Sequence, residues 1–485
     1  MRLKVLTLNP PFFPKYSRES RSPSVTKGGT TYYPMWLAYA TGVLMKEGFD
    51  VRMVDAAGAC KTKEEVTKIV RQMKPDYVVT YTSTGSVMND AAFIKQVKDE
   101  GHDFHSIFVG PHASATPLET LRINDAMDSV ARGEFDYIVR DLALELEKDR
   151  PDLSKVRGLS YKDALLGGKI KNNEPMDPIE NLDEIPFVSK VYKRFLNIWD
   201  YFYSANLYPE VQIVTGRGCP YRCTFCHWPQ TMTGRKFRTR SIENVMDEFD
   251  YIEKTFPGLG EIFLEDDTFT QDRKRTKEFC DLKNKRGNGL VWSCNARADV
   301  DLDTLKAMKT ANCRLVCVGI ESGVQEVLNN VKKGTTVEGI RKFFKNTKEA
   351  NVLVHGCFML GNKGDTKETI KETIKFAKEL NPDTSQFFPL MVYPGTEAYE
   401  WAKEQGHLKT NDYAQWLNEE GGHNTIIDRP GLTHEELVQM CNDARTEYYF
   451  RPNYMATKAK QVLTKPMERR RILKAFQVFV KQLGK

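Results

Sequence analysis

The run Arg217-Gly-Cys-Pro-Tyr-Arg-Cys-Thr-Phe-Cys226 constrains this 485-residue chain more than any other segment. Cys219, Cys223 and Cys226 stand at Cys-x3-Cys-x2-Cys spacing. Glycine and proline force a tight loop there, and such a loop can fold three thiolates onto three irons of a 4Fe-4S cluster, leaving the fourth iron open. A strand-like segment, Val211-Gln-Ile-Val-Thr215, precedes it, so the loop is expected at a strand end. Two other readings stay open: a zinc site with His227 as fourth ligand, and a redox dithiol. Four zinc ligands packed so closely would strain a tetrahedron, which favours the cluster.

The chain is 40% hydrophobic and 28% charged, as expected of a globular protein with two or three domains. Its start has no long apolar run, and no stretch of about 18 apolar residues follows, so a cytoplasmic protein is expected. Ten cysteines without an export signal favour reduced thiols and metal ligands over disulfides. Beyond the triad, Cys60, Cys280, Cys294, Cys313, Cys317, Cys357 and Cys441 are scattered, and most read as core residues. Cys313 and Cys317, four apart on one strand, are expected to share a face without building a second cluster.

Residues 1–150 alternate strands and helices: Lys4–Leu8, Trp36–Lys46, Asp50–Val54, Lys63–Met73, Tyr77–Tyr81 and Ser106–Gly110. Continuous apolar strands suit a parallel sheet covered on both faces, here a doubly wound α/β domain with a ligand crevice at its strand C-termini. Asn9, the Ser83-Thr84 turn, Gly110 and His112 line that crevice in small, polar loops that a large planar cofactor could approach. Residues 151–207 read as a hairpin and a proline-marked linker. From 208 to 400, six more strand and helix units read as a partial (β/α)6 barrel with functional loops at its strand ends. Residues 401–485 read as helical. The stretch 456–485 holds nine lysines or arginines against Glu468 alone, with Ile472, Phe476, Phe479 and Leu483 on one helical face. This pattern suits either a peripheral membrane contact or a terminal helix docked on the body with a solvated basic face. Nucleic acid is not expected, because no aromatic platform interleaves the basic residues.

The cysteine loop, with Phe225 before its third cysteine, resembles the cluster motif of radical S-adenosylmethionine (SAM) enzymes. The resemblance implies that Cys219, Cys223 and Cys226 ligate a 4Fe-4S cluster, that SAM chelates the open iron, and that one electron cleaves SAM to a 5'-deoxyadenosyl radical. A donor such as flavodoxin or ferredoxin would supply that electron. By the same resemblance, Asp266 and Asp267 fall where the family meets the SAM amino group. Asn295 and Arg297 lie where an arginine would meet its carboxylate, and Glu321 and Ser322 where ribose or methionine is held. Salt bridges and helix caps are the competing roles. Gly361-Asn-Lys-Gly-Asp-Thr366 departs from the usual Gly-x-Pro-Gly-Glu-Thr.

Asn-Pro-Pro after the first strand and Gly-Pro-His after the fourth are similar to the cobalamin-binding class of these enzymes. That implies contacts to cobalamin by Asn9, Ser83, Thr84, Gly110 and His112, with Ser83 and Thr84 near its nucleotide tail or serving as an N-cap. The cobalt-binding signature Asp-x-His-x-x-Gly is absent. A flavodoxin-like module without its cofactor is the other reading. Cys-Thr-Phe-Cys-His-Trp-Pro-Gln-Thr231, Arg238-Thr-Arg-Ser241 and Tyr-Tyr-Phe-Arg-Pro-Asn-Tyr454 give the chain the look of hopanoid-biosynthesis radical SAM proteins, except for His227. The implied function is hydrogen abstraction from a lipid-type substrate, with ring contraction or rearrangement of a lipid-linked sugar or polyol headgroup. The alternatives are a cobalamin-dependent radical C-methyltransferase of a natural product or lipid, and a non-catalytic corrinoid or lipid carrier. A tRNA methylthiotransferase would need three more N-terminal cluster cysteines, and only Cys60 is there.

Overall fold

Tyr77-Val-Val-Thr-Tyr81 is buried at every position, as a central parallel strand must be. It is β3 of a sheet formed by β1 (Lys4–Asn9), β2 (Asp50–Asp55), β3, β4 (His105–Val109) and β5 (Ser129–Ala131). The order β2-β1-β3-β4-β5 is parallel throughout, the doubly wound arrangement. Helices Lys63–Met73 and Val87–Asp99 pack on one face; Met35–Lys46 and Asp136–Leu146 cover the other. The computed structural model describes residues 2–163 and 166–483, with side chains described through Val478.

The hairpin β6 (Leu159–Asp163) and β7 (Lys169–Asn172) extends this sheet antiparallel from β5. The first unit therefore runs past residue 150, because the short edge strand β5 is covered by β6 instead of left open.

β8 (Glu210–Ile213) starts the second sheet. The short antiparallel pair β9 (Gly216–Arg217) and β10 (Arg238–Thr239) then brackets the cysteine loop. β11 (Glu261–Leu264), β12 (Trp292–Ala296), β13 (Cys313–Glu321), β14 (Leu353–Leu360) and β15 (Thr384–Pro389) complete a six-stranded parallel sheet with β8. This is the expected partial barrel. One expectation fails on β13. Its register slips where Trp292 pairs with Cys313 but Ser293 pairs with Leu315, so residue parity breaks at Arg314. Cys313 joins the main core with Cys280 and Cys294, whereas Cys317 packs with Leu315, Phe263 and Tyr203. The two cysteines do not share a face.

The C-terminal helices Pro452–Thr464 and Pro466–Leu483 dock on the N-terminal ends of the barrel strands. Arg471 is 2% exposed and bonds Glu468 at 2.7 Å, Asp383 at 3.2 Å and the Ser204 carbonyl at 3.1 Å. Arg314, at the start of β13, joins Glu468 to Glu261. Part of the basic tail is thus internal ion pairing. Ile472 is half-buried and Phe476 exposed, whereas Phe479 and Leu483 lie outside the described side chains. Among the described residues, no helix is long and apolar enough to cross a membrane.

Between the two sheets, Arg217 pairs with Asp136 at 2.7 and 3.1 Å, and Arg238 with Glu134 at 2.9 Å, all buried.

Candidate cluster and corrin sites

Gly218 sets the cysteine loop. Its φ of 87° is left-handed, and a Cβ there would lie 2.1 Å from the Lys236 carbonyl oxygen, so only glycine fits. Cys219 N–H donates to the Gly234 carbonyl at 3.2 Å. The Gln230 amide donates to the carbonyls of Cys226 at 2.7 Å and Thr224 at 3.2 Å, while its oxygen accepts from Glu397 N–H at 3.1 Å. Gln230, which the sequence did not single out, ties down the loop's backbone carbonyls without engaging its sulfurs. None of the three cysteines is in a disulfide. Burial, with the nearby Asp267 charge, pushes the Cys219 and Cys226 thiols up, so they are neutral until metal ligation deprotonates them. His227 turns away from this set: its ring lies 4.9 Å from that of Tyr393, and its Nε2 is buried without a partner. The donor set that fits the loop is three thiolates.

Asp267 ties β11 to the loop, its Oδ2 accepting from Gly218 N–H and the Thr233 hydroxyl, both at 3.1 Å. Its other oxygen has no hydrogen-bond partner. Asn295 donates to Glu265 at 3.0 Å and to the Asp266 carbonyl at 3.1 Å. Arg297 stacks on Tyr221 of the cysteine loop, 3.5 Å from the ring centroid, and donates to the Lys333 carbonyl. Glu321, at a left-handed φ of 66°, pairs with Lys333 at 2.7 Å. These four residues gather around the loop. Asp266 and Ser322 do not. Both Asp266 oxygens accept from Thr215, N–H and hydroxyl at 2.6 Å each, fastening β11 to β8. Ser322 faces Thr373 at 3.1 Å and accepts from Val324 N–H at 3.1 Å. Each of these two has its polar atoms committed to the scaffold.

Arg21 reaches this cluster of carboxylates from the N-terminal domain. It pairs with Glu265, lies 3.6 Å from Asp267 and donates to the Asp266 carbonyl at 3.1 Å. Burial pushes the Glu265 carboxyl up, and Arg21 opposes that shift.

In the N-terminal crevice, Asn9 donates to Glu19 and Asp55 at 3.4 Å, binding the first two strand ends together. Ser83 bonds Tyr16 at 3.0 Å and Ser86 at 2.9 Å. Gly110 has a φ of 108°, and a Cβ there would meet the Thr82 carbonyl at 2.8 Å. His112 has both ring nitrogens engaged, Nδ1 with Thr84 and Nε2 with Thr116, at 3.2 Å each. That arrangement makes His112 a brace for Thr84 and leaves no ring nitrogen for cobalt. A narrow cavity joins the domains, lined by Arg18, Ser83, Thr84 and His112 on one side and by His227 and Tyr393 on the other. Arg18, paired with Asp90 at 2.6 Å, keeps Nη1 buried and unpartnered, as is His227 Nε2. Burial depresses the His227 imidazole to about 3, so it is neutral. The cavity itself is narrow, about 10 Å³, and what this crevice offers the polar edge of a cofactor is the pair of unsatisfied buried nitrogens on Arg18 and His227.

The chain matches the Radical SAM superfamily over residues 213–377 and the B12 binding domain over 22–143. It is 31% identical to an uncharacterized methyltransferase of Pyrococcus horikoshii, over 88% of this chain and 90% of that protein. Identity is 28% to an anaerobic magnesium-protoporphyrin IX monomethyl ester cyclase of Rubrivivax gelatinosus, over 76% of this chain and 66% of that one. It is 24% to a hopanoid C-3 methylase of Methylococcus capsulatus, over 78% and 70%. The fold is similar to that of the radical SAM methyltransferase TsrM from Kitasatospora setae with cobalamin and a [4Fe-4S] cluster bound, at a TM-score of 0.69 and 17% identity, over 93% of this chain and 90% of that chain. Ring contraction finds no support among these relatives; methyl transfer, the expected alternative, is named for three of the four. The matched segments contain the three cysteines and the crevice loops at Ser83–Thr84 and Gly110–His112, whereas β1 with Asn9 precedes them and β15 follows them. The chain belongs to the cobalamin-binding radical SAM family of enzymes, which use a 4Fe-4S cluster, SAM and cobalamin.

Proposed function

We propose that this enzyme is a radical C-methyltransferase acting on an unactivated carbon of a natural product or lipid. The observation that carries the reading is the shared cavity: His227, next in sequence to Cys226, and His112, at the head of the N-terminal crevice, line one space between the domains. When bound, the cluster with SAM supplies an adenosyl radical and cobalamin a transferable methyl group. Cys219, Cys223 and Cys226 would hold the cluster. Asp267, whose Oδ1 accepts no hydrogen bond and lies 3.6 Å from Arg21, suits the SAM ammonium, and the Arg297 guanidinium suits its carboxylate. The unpartnered Arg18 and His227 nitrogens would meet cobalamin's amide edge, and the buried Tyr393 ring, its hydroxyl held by Ser22 at 3.3 Å, would help exclude water.

Anaerobic reconstitution, dithionite reduction and SAM carrying a deuterated methyl group test this with candidate lipids present. Methyl transfer yields both 5'-deoxyadenosine and S-adenosylhomocysteine, and a labelled product. Deoxyadenosine without S-adenosylhomocysteine would overturn methylation in favour of rearrangement. A cluster with no SAM turnover would move the assignment to a carrier. A ferredoxin or flavodoxin suits the reductant. The exposed Leu463, Met467, Leu473 and Phe476 beside basic residues support a peripheral membrane contact for a lipid substrate.

A further inference from the structure

Cys317 and Cys357 lie on neighbouring strands β13 and β14, with their sulfurs 3.8 Å apart. His355 stands opposite Cys317 in the strand register. One ligand atom from each of Cys317, His355 and Cys357 falls within 4.8 Å of the other two. We infer that these three residues form a mononuclear zinc site inside the barrel, separate from the iron-sulfur loop, with one coordination position open to an oxygen or sulfur donor.

The sulfur spacing carries most of the argument. Two thiolates at about 2.3 Å from a tetrahedral zinc stand about 3.8 Å apart. A disulfide would need about 2.05 Å. The histidine is prepared as the third ligand. Its Nδ1 lies 2.7 Å from the Thr384 hydroxyl, which fixes the ring, while Nε2 is buried with no partner. A neutral imidazole with Nδ1–H donating outward and a bare Nε2 is the tautomer that a zinc ligand requires. His355 is 3% exposed. The Tyr203 hydroxyl, 3.2 Å from Cys317 Sγ, can donate to the thiolate and stabilise it.

Donor chemistry selects the ion. Two sulfurs and one imidazole nitrogen favour a borderline-soft ion such as zinc over magnesium or calcium. Three protein ligands match sites that keep a fourth position for water or substrate. Cys317 and Cys357 retain partial exposure, and Cys317 packs beside Leu315, Phe263 and Tyr203 inside the barrel. The open position would therefore take a water, or a hydroxyl or thiol of a molecule in that interior. The inference does not depend on methyl transfer.

The test uses the full chain reconstituted with iron and zinc, with both metals measured by mass spectrometry. One zinc per chain is expected beyond the cluster iron. Cys317→Ser and His355→Gln should lose that zinc while iron content and circular dichroism hold. To exclude zinc on the cluster loop, a Cys219→Ala/Cys223→Ala/Cys226→Ala chain is titrated with cobalt(II). Intense tetrahedral bands with thiolate charge transfer are expected, and adding Cys317→Ser should abolish them. Should Cys317→Ser not fold, the cobalt titration of the triple variant decides. Absence of those bands, or zinc undiminished in folded Cys317→Ser and His355→Gln, would overturn the site.

Discussion

Arg21, on the loop that follows β1, pairs with Glu265 at the end of β11 and lies over Trp228, 4.1 Å from the ring centroid. A residue of the corrin domain thereby completes the charge balance at the head of the SAM barrel. Glu265 is 3% exposed and needs that cation.

Arg21→Ala strands a buried carboxylate, and a loss of about 1–3 kcal/mol is expected, because Arg21 itself is partly exposed. Glu265→Gln in the same chain should recover most of it. Urea unfolding of both single variants and the double variant measures the coupling.

Cys223→Ala should keep the far-ultraviolet dichroism of the parent but lose cluster absorbance and SAM cleavage. Gly218→Ala should reach the same loss of iron by another route, since its Cβ would strike the Lys236 carbonyl and its φ is left-handed. A cost of about 2 kcal/mol or more is expected. Iron titration after anaerobic reconstitution reads both, and SAM cleavage surviving in Cys223→Ala would contradict the cluster assignment.

Glu210 begins β8 and accepts from Gln212 at 2.9 Å and from Asn206. Burial pushes its carboxyl up to about 8 from 4.5. Between those values the folded chain holds a proton that the unfolded chain has released, so stability falls as pH rises. Buried histidines such as His227 and His355, with depressed values, act below about 6.5, and burial also raises the Glu19 carboxyl, so Glu210 shares the window above 6.5 and its own part is read from the difference between the parent and Glu210→Gln. Unfolding free energy should drop by about 1–2 kcal/mol across that window, and Glu210→Gln should flatten the slope.

Arg471→Ala removes the cation between Glu468 and Asp383, and a loss of about 3 kcal/mol is expected by thermal melting. A chain ending before residue 456 should melt lower still and bind anionic liposomes less. Unchanged liposome binding would rule out the membrane contact.

The cluster loop was legible in the sequence because its chemistry is local: three thiols in one turn need no knowledge of the rest of the chain. The parallel strands were legible for a similar reason, as runs such as Tyr77–Tyr81 carry their own burial. Side-chain direction at strand ends was not. Asp266 and Asp267 are neighbours in sequence, yet one is bound to Thr215 and the other to Gly218, a choice made by strands some fifty residues away. Arg21 carried no signal, because its partners lie about 245 residues downstream. Cys317 and Cys357 meet only through the register of β13 on β14, and the bulge at Arg314 undid the simple parity that linked Cys317 to Cys313.

Arg217 and Arg238 sit on β9 and β10, the two flanks of the cysteine loop, and their carboxylate partners Asp136 and Glu134 belong to the other domain. A swing of one half against the other would have to break both buried pairs together, so the two arginines favour the closed arrangement seen here. The cluster loop is thus tied on both flanks to the corrin domain, and the folded chain itself sets the spacing at which the two halves face each other.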